Sequence, residues 1–307
     1  MEQIDRFKGS LLGLVIGDAL GATLEFYKPG SFQPITDIVG GGVHELEPGE
    51  WTDDTSMALC LAESLLECNG FDAKDQMTRY LKWYREGYFS CKGYCFDIGN
   101  ATREALILFE KTGQPFSGSY DPWSAGNGSI MRLAPVPMFY ANDPLKAIEM
   151  SGRSSVTTHP SKETVDACRY FGGLITGALY GCSKEELLSE LFSPLNDSWR
   201  TEPLTPKIEE IARGSFKEKN AQQVKGSGYV VESLEAALWA FYNTDSFEDG
   251  VLLAVNLGDD ADTTGAVYGQ LAGAYYGFSG LPTRMFEKLV QRQKIESMAE
   301  QLYIKKM

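Results

Sequence analysis

The sequence predicts an all-α protein folded as a single domain over residues 1–307. Three observations lead there. Apolar residues return at helical spacing in most segments. Strand-like alternation never persists beyond a few residues. No linker, charge block, low-complexity tract or repeat divides the chain, and its 307 residues, 43% hydrophobic, suffice for one sizeable core.

In chain order, the first expected helix is Ile4–Ala19, which ends in glycine punctuation at Gly17 and Gly21. Ser56–Glu67 follows, with Met57, Leu61 and Leu65 on one face. Next come Ala73–Glu86, Ile98–Lys111 and Pro144–Met150. Lys162–Tyr180 carries Gly172-Gly173-Leu174-Ile175-Thr176-Gly177-Ala178, whose small residues let helices approach closely. Lys184–Leu191, Pro206–Arg213, Val231–Tyr242, Phe247–Leu257, Thr263–Tyr276 and Pro282–Leu302 complete the set. Four long Gly/Pro-bearing stretches separate them: Tyr27–Glu50, Thr112–Ser129, Phe192–Thr205 and Gly214–Tyr229. Loops of that length in a compact domain are uncommon and often functional.

Composition excludes several classes. A net charge of −14 argues against general nucleic-acid or anionic-membrane binding, which needs a basic face. It leaves small anionic ligands open, since a metal ion or a glycine-rich loop reverses the field locally. The start Met1-Glu2-Gln3-Ile4-Asp5-Arg6 does not read as a secretory signal, and no run of eighteen apolar residues reads as a membrane span. Four of the six cysteines fall in helix-like apolar segments, and Cys91-Lys92-Gly93-Tyr94-Cys95 lacks the spacing of a zinc knuckle or thioredoxin-type motif. A reduced, cytoplasmic monomer is the expectation.

Two acidic clusters dominate the chemistry: Trp51-Thr52-Asp53-Asp54-Thr55 and Gly258-Asp259-Asp260-Ala261-Asp262-Thr263-Thr264-Gly265. Each precedes a helix-like run, so each read alone is a helix cap. Capping does not call for five carboxylates in two matched clusters. Two carboxylates about 4 Å apart repel by about 4 kcal/mol at an effective dielectric near 20. Brought together by the fold, the clusters need a cation, and all-oxygen donors suit a hard divalent ion such as Mg²⁺ or Mn²⁺.

Other motifs are weaker alone. Gly17-Asp18-Ala19-Leu20-Gly21-Ala22-Thr23-Leu24-Glu25 reads as a helix end followed by a loop carboxylate. Gly126-Asn127-Gly128-Ser129 reads as a tight turn, or as backbone N–H groups that hold a phosphate. Thr157-Thr158-His159-Pro160 puts one of two histidines on a polar loop, while His44 has no comparable context. Phe96-Asp97-Ile98-Gly99-Asn100 reads as a cap.

Taken in order, Gly17–Gly21, Trp51–Thr55, Gly126–Ser129, Thr158-His159 and Asp260–Gly265 resemble the ADP-ribosylglycohydrolase family, across residues 5 to about 278. Within it, Cys91–Asn100 is most similar to the dinitrogenase reductase-activating branch of bacteria. The resemblance implies an orthogonal all-α fold with two divalent cations, Mg²⁺ or Mn²⁺, at the base of a cleft. It implies Thr52, Asp53, Asp54, Asp260, Asp262 and Thr263 as metal ligands, with Asp259 set aside as a neighbour. Glu25 matches a flap glutamate near the metals. Asn127, Gly128, Ser129 and His159 match ligand-contacting positions, and Asp121 lies near the cleft by analogy. Asp97 and Asn100 match positions beside the scissile bond, with Asp97 expected to place a proton on the leaving nitrogen and Glu25 to handle water.

The implied activity is removal of mono-ADP-ribose from arginine of a target protein, with ADP-ribose as product. The branch further implies the nitrogenase iron protein as target and control by a nitrogen-status signalling protein. Other linkages (serine, O-acetyl-ADP-ribose, small guanidines or bases) and a non-catalytic ADP-ribose reader are the alternatives.

Overall fold

A computed structural model describes residues 1–121, 124–195 and 198–307; Pro122 and Trp123, beside the expected cleft residue Asp121, lie outside them. Among the described residues there are fifteen α-helices and no strand, only the isolated bridges Gly41↔Leu46 and Gly126↔Tyr229. In order the helices are α1 Gln3–Gly21, α2 Asp53–Cys68, α3 Ala73–Glu86, α4 Asn100–Thr112, α5 Pro135–Phe139, α6 Pro144–Val156, α7 Lys162–Tyr180 and α8 Lys184–Leu187. They continue with α9 Ser198–Thr201, α10 Pro206–Ala212, α11 Val230–Asn243, α12 Phe247–Val255, α13 Ala261–Tyr276, α14 Thr283–Phe286 and α15 Arg292–Lys305. The all-α expectation holds.

The centre of the fold is the antiparallel pair α1 and α13, which touch backbone to backbone. Glycines recur every fourth residue on both: Gly9, Gly13, Gly17 and Gly21 face Gly273, Gly269, Gly265 and Ala261. A methyl at Gly13 would fall 2.3 Å from the Gly269 carbonyl oxygen, and one at Gly17 would fall 2.0 Å from that of Gly265. The i, i+4 spacing puts these glycines on one helix stripe, so no side chain holds the axes apart. The antiparallel sense carries the C-terminal end of α1 to the N-terminal end of α13. Helices α2, α7, α11 and α12 pack around this pair. Trp51, Phe7, Phe139, Phe171, Leu14 and Leu271 are among the buried core residues.

Helices α5 and α9 fall where none was expected, α6 runs on to Val156 rather than Met150, and two expected helices are cut. Pro282–Leu302 is broken into α14 and α15. Gln291 adopts φ +50°, the Val290 N–H donates to the Gly49 carbonyl at 3.1 Å, and a methyl at Gly49 would fall 1.9 Å from the Lys288 oxygen. The Tyr27–Glu50 loop thus presses into the chain and takes hydrogen bonds that a continuous helix would have kept. Lys184–Leu191 shortens to α8 because the Leu191 N–H turns to the Ala212 carbonyl at 2.8 Å. No helix is long and apolar enough to cross a membrane, among the described residues.

Candidate metal and ligand site

The two acidic clusters lie at helix starts. Thr52 precedes α2, with Asp53 and Asp54 as its first two residues; Asp260 precedes α13, with Asp262 and Thr263 in its first turn. Neither Thr52 nor Asp260 makes a side-chain capping hydrogen bond. Their oxygens turn instead toward each other. Thr52 Oγ1 is 2.9 Å from Asp18 Oδ1, 3.2 Å from Asp262 Oδ2 and 3.3 Å from Asp54 Oδ2. Thr263 Oγ1 is 3.4 Å from Asp54 Oδ2.

A hydroxyl carries one hydrogen, so it satisfies only one of three surrounding carboxylate oxygens. Asp54 Oδ1 and Asp262 Oδ1 are buried with no hydrogen-bond partner. Burial pushes the pKa of Asp53, Asp54 and Asp262 far up, and neighbouring carboxylates push further: Asp97 acts on Asp53, Asp18 on Asp54 and Glu25 on Asp262. Oxygen-only donors, orphaned lone pairs and mutual repulsion fit a hard cation. Glu25, Asp260 and Asp262 each offer an oxygen within 4.8 Å of the others.

Asp18, which has no expected role beyond a helix end, builds the first cluster. Its Oδ1 accepts the Thr52 N–H and hydroxyl, both at 2.9 Å; its Oδ2 accepts the Thr55 N–H at 3.0 Å and hydroxyl at 2.6 Å. It is fully buried and sits one residue beyond Gly17 on the glycine stripe of α1. Burial raises its pKa and these hydrogen bonds oppose the rise.

Glu25 reaches the same place from the loop after α1. Phe26 N–H donates to the Asp259 carbonyl at 2.6 Å, and Asp259 N–H donates to the Tyr27 carbonyl at 2.8 Å. Both Phe26 and Asp259 are left-handed, with φ +64° and +61°. Asp259 therefore serves through its backbone, while its side chain is exposed. Glu25 is 3% exposed and its pKa is raised by burial. His44 Nε2 lies 3.0 Å from Glu25 Oε2 and 3.8 Å from Asp97 Oδ1, a position nothing in its sequence context foretold. Asp97 is pushed up to about 7 by burial, with the charge of Glu25 adding to it.

Glu25, Asp53, Asp260, Asp262 and Thr263 floor a cavity of about 450 Å³ whose walls include Asp97, Asn100, Asn127, Gly128, Met131 and His159. Asn127 Nδ2 donates to Asp260 Oδ2 at 2.8 Å, tying the glycine turn to the second cluster. The turn is held by pairing with residues 228–230: Asn127 N–H donates to the Gly228 carbonyl and Val230 N–H to that of Ala125, both at 3.0 Å. Arg132 Nη2 donates to Thr158 Oγ1 at 2.6 Å, and Thr158 Oγ1 is hydrogen-bonded to His159 Nδ1, 2.8 Å away. His159 Nε2 faces Gly126 and Gly128. Burial, helped by the Arg132 charge, depresses its pKa to about 3. A methyl at Gly128 would fall 2.8 Å from His159 Cε1, so the turn needs glycine there.

Three expected residues stand differently. Ser129 is buried, its hydroxyl accepting from Ser155 Oγ at 2.8 Å behind the turn. Asn100 is exposed at the rim and accepts from Arg103. Asp121 is exposed on its loop, and is not among the residues that line the cavity. Next to the cavity lies a larger cleft of about 860 Å³ bounded by Tyr120, Ala125, Pro160, Thr205, Lys207 and Tyr229. The two share walls through the neighbouring residues Ala125 and Gly126, His159 and Pro160, Gly228 and Tyr229.

The chain is 44% identical over 302 residues to the ADP-ribosylarginine hydrolase Tri1 of Serratia proteamaculans, covering 98% of this chain and 80% of that protein. It is 46% identical to the Tri1 of Pseudomonas putida, covering 98% and 79%. Identity to the ADP-ribosyl-[dinitrogen reductase] glycohydrolase of Rhodospirillum rubrum is lower, 30% with 93% and 90% covered. A solved structure described as an ADP-ribosylglycohydrolase-related protein complex superposes with a TM-score of 0.87 at 45% identity, covering 100% of this chain and 99% of that one. The family model described as ADP-ribosylglycohydrolase matches residues 1–307, and the chain belongs to that family.

Proposed function

We propose that this protein is a metal-dependent hydrolase that removes ADP-ribose from arginine side chains of a modified protein. The observation that carries the reading is the pair of buried, partnerless oxygens, Asp54 Oδ1 and Asp262 Oδ1, in an acidic cluster whose Asp53, Asp260, Asp262 and Thr263 line a cavity walled by a glycine turn and a neutral histidine. The arginine linkage is supported by the two Tri1 relatives at 44% and 46% identity. The nitrogenase iron protein has the weaker support of a relative at 30%, so the reading is not tied to that target.

Thr52, Asp53, Asp54, Asp260, Asp262 and Thr263 would hold two divalent cations, Mg²⁺ or Mn²⁺. Bound there, the cations would polarise the ribose hydroxyls and lower the pKa of an attacking water. Asp97, at the cavity wall beside Asp53, would give a proton to the departing guanidine nitrogen. Glu25, on the metal side of the cavity, takes the proton from water. The His159 Nε2 edge and the backbone N–H groups of Gly128 and Ser129 would donate to the diphosphate, countering the net charge of −14. The adjoining cleft, with the rings of Tyr120 and Tyr229, suits the adenosine end.

The test is release of free ADP-ribose from defined ADP-ribosyl-arginine and ADP-ribosyl-serine substrates, with Mg²⁺, Mn²⁺ or a chelator. Release from arginine that a chelator abolishes is expected. Undiminished turnover in the chelator, or turnover of serine alone, overturns the reading.

A further inference from the structure

Arg132 is a fully buried charge, and no carboxylate pairs with it among the described residues. Its guanidinium stacks on the Tyr80 ring at 4.6 Å and donates from Nη2 to Thr158 Oγ1 at 2.6 Å. Its Nη1 meets only the Met57 sulfur, at 3.5 Å, and its Nε has no partner. A buried charge is costly unless it is paired. The backbone beside it is fixed. Gln270 of α13 donates to the carbonyls of Ile130 at 3.1 Å and Met131 at 2.8 Å, and accepts the Ala134 N–H at 2.6 Å.

The cavity in front of it lacks cationic side chains. Glu25, Asp53, Asp97, Asp260 and Asp262 line that cavity, and no lysine or arginine does. Lys162 and Lys207 border the adjoining cleft, at the end assigned above to adenosine. Arg132 stands behind the wall that His159 forms: Thr158 Oγ1 is 2.8 Å from His159 Nδ1, and His159 Nε2 faces the glycine turn.

We propose that Arg132 is the buried counter-charge of the ligand's diphosphate, a positioning residue that acts from behind Thr158 and His159 without touching the ligand. This rests on the placement of ADP-ribose given above, with its diphosphate at Gly128, Ser129 and His159. The diphosphate brings the negative charge that the guanidinium lacks, and buried charges are screened far less than exposed ones. His159 does not supply the positive charge itself, because burial and then the Arg132 charge keep its ring unprotonated. Packing alone does not call for arginine here, since a methionine suits the space beside Met57 and Tyr80. The diphosphate holds its charge before and during bond cleavage. Loss of Arg132 therefore weakens ground state and transition state alike, which raises KM and spares kcat.

The experiment compares wild type with Arg132→Met, Arg132→Gln and Arg132→Lys, each as the full chain in saturating Mg²⁺. Methionine removes the charge; glutamine removes it but keeps a donor toward Thr158; lysine keeps the charge and loses the planar fork. Calorimetry reads the Kd of ADP-ribose, turnover of ADP-ribosyl-arginine reads KM and kcat, and melting without ligand reads stability. Kd and KM should rise at least about tenfold in Arg132→Met and Arg132→Gln, and at most about threefold in Arg132→Lys. In all three kcat should stay within about threefold of wild type. Ligand-free Arg132→Met should melt at or above the wild-type temperature. If it does not fold, Arg132→Gln carries the same expectation. ADP-ribose bound as tightly without the charge overturns the proposal, as does equal weakening in the lysine and neutral variants, which would assign Arg132 to packing. Wild type that binds ADP-ribose but leaves the arginine linkage intact would sink the proposed reaction, while the affinities still decide Arg132. Wild type that does not bind ADP-ribose overturns both.

Discussion

Asp18 and Thr52 are joined twice: one carboxylate oxygen, Oδ1, accepts both the backbone N–H and the hydroxyl of Thr52 at 2.9 Å. The other oxygen binds Thr55 in the same way. A single carboxylate from α1 thus fixes the start of α2 and aims Thr52 Oγ1 at Asp54 and Asp262. Asp18→Asn keeps the size but places an NH₂ against two donors. The expected cost is about 1–3 kcal/mol of stability for the donors left unpaired. A weaker response to Mn²⁺ should accompany it, because Thr52 loses its orientation. Thermal melting with and without Mn²⁺ checks this; an unchanged Mn²⁺ response would mean that Asp18 only supports the fold.

Asp54→Asn and Asp262→Asn each remove one charge from a cluster whose members repel. The metal-free variants should melt at or above the wild-type temperature. Wild type should gain about 2.7 kcal/mol from an ion at 100 times its dissociation constant, and the variants much less. Hydrolysis should fall by at least about 100-fold, equivalent to roughly 2.7 kcal/mol of barrier. Calorimetry with Mn²⁺ titration reads the first two effects. Lower metal-free stability in both variants would contradict the repulsion argument.

The same carboxylates set the pH dependence of the metal-free protein. Their folded pKa values are raised, so their contribution to stability is present below the unfolded value near 3.8 and is lost as pH rises through the folded values. For Asp97 that window runs from about 3.8 to about 7. In chelator, the melting temperature should carry a component that falls as pH rises toward 7. Saturating Mn²⁺ should reverse or flatten it, because the ions stabilise the charged forms. Identical pH profiles with and without metal would remove the cations from this account.

The α1–α13 pair offers a test of packing alone. Gly13→Ala puts a methyl 2.3 Å from the Gly269 oxygen, which backbone cannot yield without parting the helices. We expect a loss of about 3 kcal/mol or more, with activity falling because the clusters at the helix ends separate. Gly173→Ala, in α7, meets nothing nearer than 3.4 Å and should gain about 0.5–1 kcal/mol. Urea melts of both variants decide the matter, and equal effects would refute the close-approach reading.

Helix identity and the acidic clusters were legible because both are local: periodic apolar spacing marks α2 and α7, and repeated carboxylates at helix starts exceed what capping needs. Asp18 was hidden because its meaning depends on Thr52 and Thr55, which α2 brings to it across the fold. His44 was hidden for a similar reason. Its turn is polar and unremarkable, and only tertiary folding carries it to Glu25 and Asp97. Ser129 shows the reverse case, since its hydroxyl is drawn inward by Ser155, which no local pattern reveals. The break between α14 and α15 likewise comes from Gly49, some 240 residues away in sequence.

His159 should impose a pH dependence of opposite sign. Its folded pKa is depressed to about 3 from 6.5, because burial and Arg132 disfavour the charged ring. Above 6.5 both the folded and the unfolded chains hold it neutral, and its contribution to stability is fully present. As pH falls from 6.5 toward 3 the unfolded chain takes a proton that the folded chain refuses, so that contribution is lost. His159→Gln removes the titrating group. The melting-temperature difference between wild type and this variant should therefore shrink as pH is lowered from 7.5 to 5, and this holds in chelator and in Mn²⁺ alike. Proton NMR supplies the direct check: the His159 ring resonances should not titrate between pH 5 and 8. A titration midpoint near 6.5 would contradict burial of the ring beside the Arg132 charge.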